Sequence, residues 1–270
     1  MKPTLSLVMP CLDQVRFVEE AVRSVFGGGI EEFELIVRDP GSTDGSRELL
    51  QELRNELGER LQLVFEPDQG QSDAINRGFA QASGSIRGWL NSDDRLREGA
   101  LRHVVSAFGP GAGDADQPAW IFGHAGIIDE NGQPMQSLIA RYKDWRSRRY
   151  SRVALLTENF LPQMAVFWND AMWRRAGGLD VQRHLDMDYD LWLRFAGVAA
   201  PVHIDEVLAD FRVHSDAKGS VSTRAQLRAA FETSRSHAME LGWRGRFAVA
   251  LHRVLGTRTR LVYAFVKPGS

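Results

Sequence analysis

The sequence predicts an α/β fold built on a parallel β-sheet. Over about the first hundred residues, short apolar segments alternate with segments of helical periodicity, and this alternation is typical of parallel strands joined by crossover helices. A length of 270 residues is enough for one large α/β domain with a sizeable core. Hydrophobic residues at 43% and charged residues at 25% are ordinary for a folded protein.

Four strands are predicted in the first part of the chain, each from a short apolar run. The first run stops at Pro10, because proline lacks the N–H that a sheet interior needs. The other three end in polar or turn-forming residues. The predicted strands cover Leu5–Met9, Phe33–Val37, Leu61–Phe65 and Ile86–Leu90.

Helices are predicted between these strands, because apolar residues recur there every three or four positions and give each segment one apolar face. A glycine follows each periodic segment, as is common at helix ends. The periodic segments cover 17–26, 49–57 and 74–82, and the glycines are Gly27, Gly58 and Gly84.

The pattern changes after about residue 108. Glycine and proline predict a loop over 109–118, and Asn131-Gly132 predicts a tight turn after two short strands. A long polar-ended strand and further helices follow. The remaining predictions are strands over Trp120–Gly123, Gly126–Asp129 and Val202–Val213, a loop leading into a helix over 181–197, and helices over 222–241 and 244–265.

Composition excludes several classes of protein. A formal net charge of −2 and a pI near 6.4 argue against a dedicated nucleic-acid binder. The single cysteine, Cys11, allows no internal disulfide and suits a reducing compartment. The N-terminal apolar run is too short for a signal peptide and no window approaches 18 apolar residues, so we expect a cytoplasmic protein without a transmembrane helix.

Acidic residues follow all four predicted strands, at the sheet edge where ligands of open parallel sheets bind. Taken singly, each is an ordinary turn or helix-capping residue; as a set, they predict a site. The adjacent pair Asp93 and Asp94 either is solvated on a loop or awaits a cation, since neighbouring carboxylates repel each other. The acidic residues at the strand ends are Asp13, Asp39, Asp68, Asp73, Asp93 and Asp94.

The chain resembles the family 2 glycosyltransferases of the GT-A fold over about residues 4–215. Four motifs carry the resemblance in order: VMPCLDQVRFVEEAVRSV, ELIVRDPGSTDGS, QGQSDAINRGFAQASGSIRGWLNSDD and MDYDLWLR. It implies a Rossmann-like nucleotide-binding mixed sheet flanked by helices, with a C-terminal helical segment. The implied parts are a nucleotide-sugar-binding half (1–110), an acceptor-binding and catalytic half (111–221) and the C-terminal segment (222–270).

The resemblance implies transfer of a sugar from a nucleotide diphosphate donor, with a UDP-sugar as first expectation, to a hydroxyl group with inversion. Negative charge then builds on the leaving diphosphate, and Mn²⁺ or Mg²⁺ would stabilise it. The implied metal ligands are Asp93 and His214, while Asp94 is either another ligand or a helix cap. Asn91 replaces the first acid of the family's D-x-D motif, so we expect it on the ribose or a metal-bound water.

Further donor contacts are implied by position in the motifs. Asp39 matches the family carboxylate that accepts a hydrogen bond from the nucleotide base. Helix capping and a solvated arginine remain the alternative for three of the others, Gln71, Asp73 and Arg77. The full donor-binding set is Pro10, Leu12, Asp39, Gln71, Asp73, Arg77, Asn91, Ser92 and Asp93.

The acceptor side requires a base for the attacking hydroxyl. Asp188 matches the family base, although Met187 stands where relatives carry Glu. Its alternative is to cap the helix that begins near Tyr189. The acceptor-binding candidates are Gln163, Trp168 and Trp192, and core packing is the alternative for the tryptophans.

Two basic segments could meet an anionic lipid or a lipid-linked acceptor, Arg141–Arg152 and the apolar, arginine-containing C-terminal segment after residue 243. We therefore expect a glycan or lipid-linked acceptor, a role in surface polysaccharide assembly and peripheral contact with the inner face of the cytoplasmic membrane. Alternatively, the C-terminal segment packs on the domain or on a second subunit of a homo-oligomer. In the phosphate region, Arg212 and Lys218 are further candidates for pairing with the diphosphate.

Two other functions stay open from the residues alone. A sugar nucleotidyltransferase would also need acids and a cation, but it usually carries a glycine-rich basic loop after the first strand, where this chain has PCLDQVR. A non-catalytic nucleotide-binding protein is the other alternative, motivated by Asn91 and Met187.

Overall fold

A computed structural model describes residues 3–109, 117–136, 138–215 and 223–252. The described part contains one sheet of eight strands. The strands are β1 (Leu5–Pro10), β2 (Phe33–Arg38), β3 (Leu61–Val64), β4 (Ile86–Trp89), β5 (Arg95–Leu96), β6 (Trp120–Ile128), β7 (Val166–Asn169) and β8 (Val202–Arg212).

Helices cover both faces of the sheet. Short 3₁₀ turns over Gln163–Ala165 and Met239–Leu241 add to them, and residues 242–252 are also helical. The helices are α1 (Val18–Phe26), α2 (Ser46–Leu57), α3 (Gln71–Gln81), α4 (Ala100–Phe108), α5 (Leu138–Ser147), α6 (Arg152–Thr157), α7 (Asp170–Ala176), α8 (Met187–Val198) and α9 (Thr223–Ala238).

The strand order is β3-β2-β1-β4-β7-β6-β8-β5. The first four strands are parallel, as the sequence predicts. Beyond β4 the sheet is mixed: β7 is antiparallel to both β4 and β6, β8 is parallel to β6, and β5 is antiparallel to β8. The α/β class is therefore confirmed, with a mixed second half.

The sheet curls so that its far edge returns to the end of β4. In the chain, β5 follows β4 after only five residues, 90–94, and these are folded into a turn in which Asp94 N donates to Asn91 O. In a flat sheet the four strand spacings between β4 and β5 would be about 19 Å, more than this turn spans easily. The curl brings the C-terminal end of β8 beside the turn after β4.

Two apolar layers hold the sheet. On one face, β1 residues such as Leu5 and Leu7 pack with the apolar sides of α1, α2 and α4. On the other, Val8 meets α3 so closely that a Cβ on Gly78 would lie 2.5 Å from the Val8 side chain, so this helix crossing requires glycine. This second layer also contains a stack of tryptophans from β4, β6, β7 and α8.

One strand replaces the two predicted over 120–129. β6 is continuous from Trp120 to Ile128, and its register against β8 shifts around His124. A Cβ on Gly123 would lie 2.6 Å from Leu208. Gly123 therefore allows the close approach of β8 at this irregularity. The predicted turn at Asn131-Gly132 is confirmed, with Gly132 at φ +77°.

The C-terminal prediction is confirmed in part. The helix predicted over 222–241 corresponds to α9, and the one predicted over 244–265 begins within the helical residues 242–252. Its remainder lies outside the described residues, as does Lys218. Within the described ranges, no helix combines the length and apolar character needed to cross a bilayer.

Candidate active site

The loops after β1 and β2 are hydrogen-bonded to each other. Asp13 N donates to Ser42 Oγ at 2.8 Å, and Thr43 N donates to Asp13 Oδ1 at 2.8 Å. These bonds hold Asp13 at φ 51°, a left-handed conformation that costs energy for a non-glycine residue. Asp44 adds a bond from Val15 N at 2.9 Å. Asp13 and Asp44 thus shape the rim of the sheet.

Asp39 is buried at the end of β2 with one oxygen left over. Its Oδ1 accepts from Gly41 N, Ser42 N and Arg47 Nε at 2.8 to 2.9 Å. Within the described residues, its Oδ2 is buried and accepts no hydrogen bond. Burial raises the pKa of Asp39, but the hydrogen bonds from Ser42 and Arg47 outweigh it and hold the pKa below its usual value. The result is an ionised acceptor with a free lone pair.

The residues beside Asp39 differ in exposure. Pro10 is half-buried and Leu12 is 54% exposed, so a ligand can reach the wall predicted there. Cys11 between them is buried, and burial, reinforced by the charge of Asp39, raises the pKa of its thiol to about 12. The thiol is therefore neutral and unreactive. Ser92 is also buried, next to that thiol.

Asn91 is the centre of an amide network at the end of β4. Its Oδ1 accepts from Gln71 Nε2 at 2.9 Å. Its Nδ2 donates to Gln163 Oε1 at 3.1 Å and to Asp94 Oδ2 at 3.3 Å. Both bonds from Nδ2 use N–H donors, and an ionised Asp at position 91 would have none. The departure from D-x-D therefore has a structural reason: an amide fits beside a buried carboxylate.

Asp93 and His214 come together across the curled sheet. His214 Nε2 lies 3.1 Å from Asp93 Oδ2, and the imidazole packs on Phe17 with ring centroids 4.7 Å apart. The Asp93 side chain is 22% exposed, whereas that of His214 is 1% exposed. A carboxylate and an imidazole side by side, one of them open to solvent, fit a divalent cation whose other ligands are phosphate oxygens and waters.

Asp94 does not match either expectation for it. It is buried; Oδ1 accepts from Arg212 N at 3.0 Å and Oδ2 from Asn91. Burial and the charge of Asp93 raise the pKa of Asp94 well above its ordinary value. It does not cap α4, whose N-cap is Gly99. With both oxygens engaged away from solvent, Asp94 ties the turn to β8 and is not a metal ligand in this arrangement.

Arg212 also departs from its predicted role. Its guanidinium is buried and donates to Asp93 O at 2.8 Å and to Asp129 O at 3.2 Å, and it pairs with Glu20. A buried guanidinium with these partners stabilises the turn after β4, so the prediction that it pairs with phosphate is wrong. The sequence does not reveal Glu20 as its partner.

Asp188 lies in the first turn of α8 and is partly buried. Asn159 Nδ2 donates to its Oδ2 at 3.1 Å. Burial raises the pKa of Asp188, against the effect of hydrogen bonds from the Tyr189 N–H and Asn159. The helix begins at Met187 after an N-cap at Asp186, so the alternative that Asp188 is the cap is wrong. A carboxylate of raised pKa suits proton transfer near neutral pH.

The start of α3 connects this aspartate to the turn after β4. Gln71 bonds Asn91, and the next residue, Ser72, places its hydroxyl 2.9 Å from Met187 Sδ. Since Met187 directly precedes Asp188, the two predicted ends of the site lie on opposite sides of one helix N-terminus. The start of α3 therefore contacts both the turn that carries Asp93 and the residue before Asp188.

The other donor candidates form a local pair. Asp73 accepts from Gln69 N at 2.9 Å, and Arg77 Nε donates to Asp73 at 3.1 Å and a further N–H to Pro67 O. Neither residue caps α3, whose N-cap is Gly70. Arg77 remains partly exposed, and its contact with a donor stays a prediction.

The acceptor candidates separate into one polar residue and two core residues. Trp168 and Trp192 are fully buried in the tryptophan stack, so the prediction that they contact an acceptor is wrong. Their positions in the sequence do not distinguish tryptophans that pack in the core from tryptophans that stack on a sugar. Gln163 is half-buried and donates to Trp89 O at 2.8 Å. Sequence analysis missed Asn159, which no motif marks.

Comparison with known proteins gives a family and a fold. The sequence model described as "Glycosyl transferase family 2" matches residues 6–175. The chondroitin synthase of Pasteurella multocida is 24% identical over 215 residues, which are 79% of this chain and 21% of the synthase. The chain also spans only 35 to 38% of the length of two further curated relatives.

Solved structures resemble the whole fold at low identity. Staphylococcus aureus TarS 1-349 in complex with UDP-GlcNAc superposes with a TM-score of 0.66 at 13% identity, covering 88% of this chain and 67% of that one. A mannosyltransferase from Pyrobaculum calidifontis in complex with GDP-Man and Mn²⁺ gives a TM-score of 0.64 at 15% identity, covering 99% and 82%. The eight-stranded curled sheet is thus a GT-A fold.

Proposed function

The chain belongs to glycosyltransferase family 2, and we propose that it transfers a sugar from a nucleotide diphosphate donor to an acceptor hydroxyl with inversion. The observation that carries the proposal is the Asp93–His214 pair, together with Asp39 at the end of β2 and Asp188 at the start of α8. In this proposal the residues supply a cation site, a base-reading acceptor and a proton acceptor.

The nucleotide lies against Asp39 in this proposal. The free Oδ2 accepts a hydrogen bond from a ring N–H of the base, and for uracil that group is N3–H. A buried ionised acceptor left unpaired costs free energy, so a base that donates to it is favoured over one that does not. A UDP-sugar is therefore the first expectation, with Leu12 and Pro10 at the wall of the base pocket.

The diphosphate lies at the turn after β4. Asp93 and His214 would hold Mn²⁺ or Mg²⁺, which neutralises charge on the departing nucleoside diphosphate when bound. Asn91 is fixed by Gln71 and Gln163, so its position is set before a donor arrives. Such preorganisation reduces the free-energy cost of ordering the site during reaction.

Asp188 removes the proton from the acceptor hydroxyl. Asn159 Nδ2 donates to Oδ2 and so orients the carboxylate towards its task. Burial raises the pKa of Asp188, which makes this carboxylate a stronger base than an exposed aspartate. Gln163, which bonds the donor-side Asn91, remains the candidate for contact with the acceptor.

The acceptor is proposed to be a glycan or lipid-linked sugar of surface polysaccharide assembly, at the inner face of the cytoplasmic membrane. Two large side chains one helical turn apart support membrane contact: Trp243 and Phe247 are 70% and 62% exposed. Together they form an apolar stripe near the C-terminal end of the described chain. Such a stripe, with Arg244 and Arg246 beside it, suits the interface of an anionic bilayer.

A transfer assay tests the reaction. Wild-type protein with Mn²⁺ should release nucleoside diphosphate from its cognate sugar donor, and acceptor should raise the rate. Asp188→Asn should keep donor binding but lose turnover by orders of magnitude, because binding and proton removal use separate residues. Asp180→Asn, an exposed acid in the loop before α8, is the matched control. Full turnover by Asp188→Asn would refute the assignment of the base.

Vesicle co-sedimentation tests the membrane contact separately. Vesicles of phosphatidylcholine and phosphatidylglycerol should retain the wild-type protein, and the double variant W243S/F247S should stay in the supernatant. Val198→Ser, at an exposed position on α8, is the control. Equal retention of the double variant would remove the stripe from the proposal and leave the transfer reaction untouched.

A further inference from the structure

A second cluster of ligand-type side chains lies between β6 and β8, away from the candidate active site. His124 Nε2 lies 3.0 Å from Asp205 Oδ1 and 3.2 Å from His203 Nε2. These three ligand atoms all lie within 4.8 Å of one another. His203 is near the start of β8, whereas His214 follows the end of the same strand, so the two sites are at opposite ends of β8.

The irregular pairing of β6 and β8 assembles the cluster. Phe122 pairs with His203, but His124 pairs with Val207, so four steps along β8 oppose two along β6. The extra residues of this β-bulge place His203 and Asp205 beside His124. Bulges re-aim side chains in this way and are commonly found near functional sites.

The short distance between the two imidazole rings means that at least one ring nitrogen directs a lone pair into the cluster. Two ring nitrogens 3.2 Å apart cannot both carry a hydrogen aimed at the other, so at least one presents its lone pair. Ligand atoms around a tetrahedral zinc ion with bonds of about 2.0–2.1 Å are roughly 3.3 Å apart. Two of the three separations, 3.0 and 3.2 Å, are close to that spacing, and the third is within 4.8 Å.

The surroundings of each ligand resemble the outer shell of a metal site. His124 Nδ1 lies 3.1 Å from Asp144 Oδ1, which fixes the ring so that Nε2 faces the cluster. Arg148 binds the other oxygen of Asp205 at 2.5 Å and leaves Oδ1 for the cluster. The His203 ring stacks on Phe122 with centroids 4.8 Å apart. Each ligand is thus oriented by a partner of its own.

We propose that His124, His203 and Asp205 form a binding site for a divalent transition-metal ion, with Zn²⁺ as the preferred ion. Two imidazoles and one carboxylate favour Zn²⁺ over Mg²⁺ or Ca²⁺, which prefer oxygen ligands. Asp205 is exposed, so water completes the tetrahedron. The site does not depend on the sugar-transfer reaction.

The ion fixes α5 to the sheet. Asp144 lies on α5 and Arg148 directly follows that helix, and both contact the ligands from the α5 side. The same helix carries Lys143, whose charge acts on Asp188. Metal occupancy therefore orders the helix that flanks the acceptor side of the candidate active site.

Calorimetric titration with ZnCl₂ alone tests the site, using chelator-stripped full-length protein without nucleotide. Wild type should bind one equivalent of Zn²⁺ at this cluster, and both His203→Ala and Asp205→Asn should weaken it at least tenfold. Asp144→Asn should weaken it by about ten- to a hundredfold, as expected for an outer-shell carboxylate. His103→Ala, an exposed histidine on α4, and Asp93→Ala should keep this binding.

Hydrogen exchange supplies a second readout. Added Zn²⁺ should slow amide exchange over residues 138–148 in wild type and in the His103→Ala variant, but not in Asp205→Asn. Absence of zinc binding by wild type would overturn the proposal. Unchanged affinity in both His203→Ala and Asp205→Asn, or loss only in Asp93→Ala, would also overturn it.

Discussion

Replacing Asn91 by Asp restores the family's acidic first position and should destabilise this protein. The amide nitrogen of Asn91 is 3.3 Å from Asp94 Oδ2 and 3.1 Å from Gln163 Oε1. A carboxylate there loses both bonds, at about 1 kcal/mol each. It also adds a like charge beside a buried acid: two unit charges about 3.3 Å apart repel by about 5 kcal/mol at an effective dielectric constant of 20.

Protonation of one carboxylate limits that repulsion, since each pH unit of pKa displacement corresponds to about 1.4 kcal/mol. Asp94 already has a raised pKa through burial and the charge of Asp93. We therefore expect Asn91→Asp to lower the free energy of unfolding by about 3 kcal/mol at pH 8, and Asn91→Ala by about 1–2 kcal/mol. The difference in the free energy of unfolding between the two variants measures the electrostatic cost of the added charge.

Urea unfolding at pH 8 and pH 5, without metal, measures both losses. An acid whose pKa is raised on folding destabilises the native state above its unfolded pKa, so the deficit of Asn91→Asp relative to Asn91→Ala should shrink as the pH falls. Asn55→Asp, an exposed position on α2, should change stability by no more than about 0.5 kcal/mol. An Asn91→Asp protein as stable as wild type at pH 8 would refute the reasoning.

Three further predictions concern binding and pH. Asp39→Asn should weaken UDP binding about tenfold or more in calorimetry, because the amide cannot offer the same ionised acceptor; unchanged affinity would exclude Asp39 from the base pocket. The pKa of Asp188 is raised by burial, so transfer activity should fall as the pH drops towards that pKa, and this acid limb should be missing from the residual activity of Asp188→Asn. Phe17→Ala should weaken Mn²⁺-dependent nucleotide binding without abolishing it, since the ring only positions His214; an effect on metal-free binding of equal size would argue against that role.

The parallel half of the fold could be predicted because its signals are local. Apolar runs of strand length, helical periodicity and closing glycines all lie within single elements, and β1 to β4 follow from them. The mixed half depends on contacts between distant segments. The two-residue β5, for example, has no pattern of its own and forms because Arg95 and Leu96 pair with the end of β8.

The candidate site likewise combines residues that local motifs mark with contacts between distant segments that no motif reveals. Asp39, Asp93 and Asp188 stand at positions that the motifs mark, the first two after β2 and β4 and the third at the start of α8. The motifs do not reveal which oxygens are already occupied. Asp94 and Arg212 lie in or near the motifs, 118 residues apart in the chain. The Arg212 N–H donates to Asp94 Oδ1, and the Arg212 guanidinium donates to Asp93 O.

Buried polar and aromatic residues are the hardest to interpret from sequence. Trp168 and Trp192 are of the residue type that stacks on sugars, yet both are buried in a core layer. His124 and His203 are 79 residues apart and meet only because of the bulge between β6 and β8. No periodicity predicts such a bulge.

The central claim is that a cation held by Asp93 at the end of β4 binds the diphosphate of the donor. Calorimetric titration of UDP with and without Mn²⁺ tests it most directly. Mn²⁺ should strengthen binding to wild type, Asp93→Ala should bind UDP equally weakly in both conditions, and Asp73→Asn should retain the Mn²⁺ effect. Strengthening by Mn²⁺ in Asp93→Ala to the same extent as in wild type would contradict it.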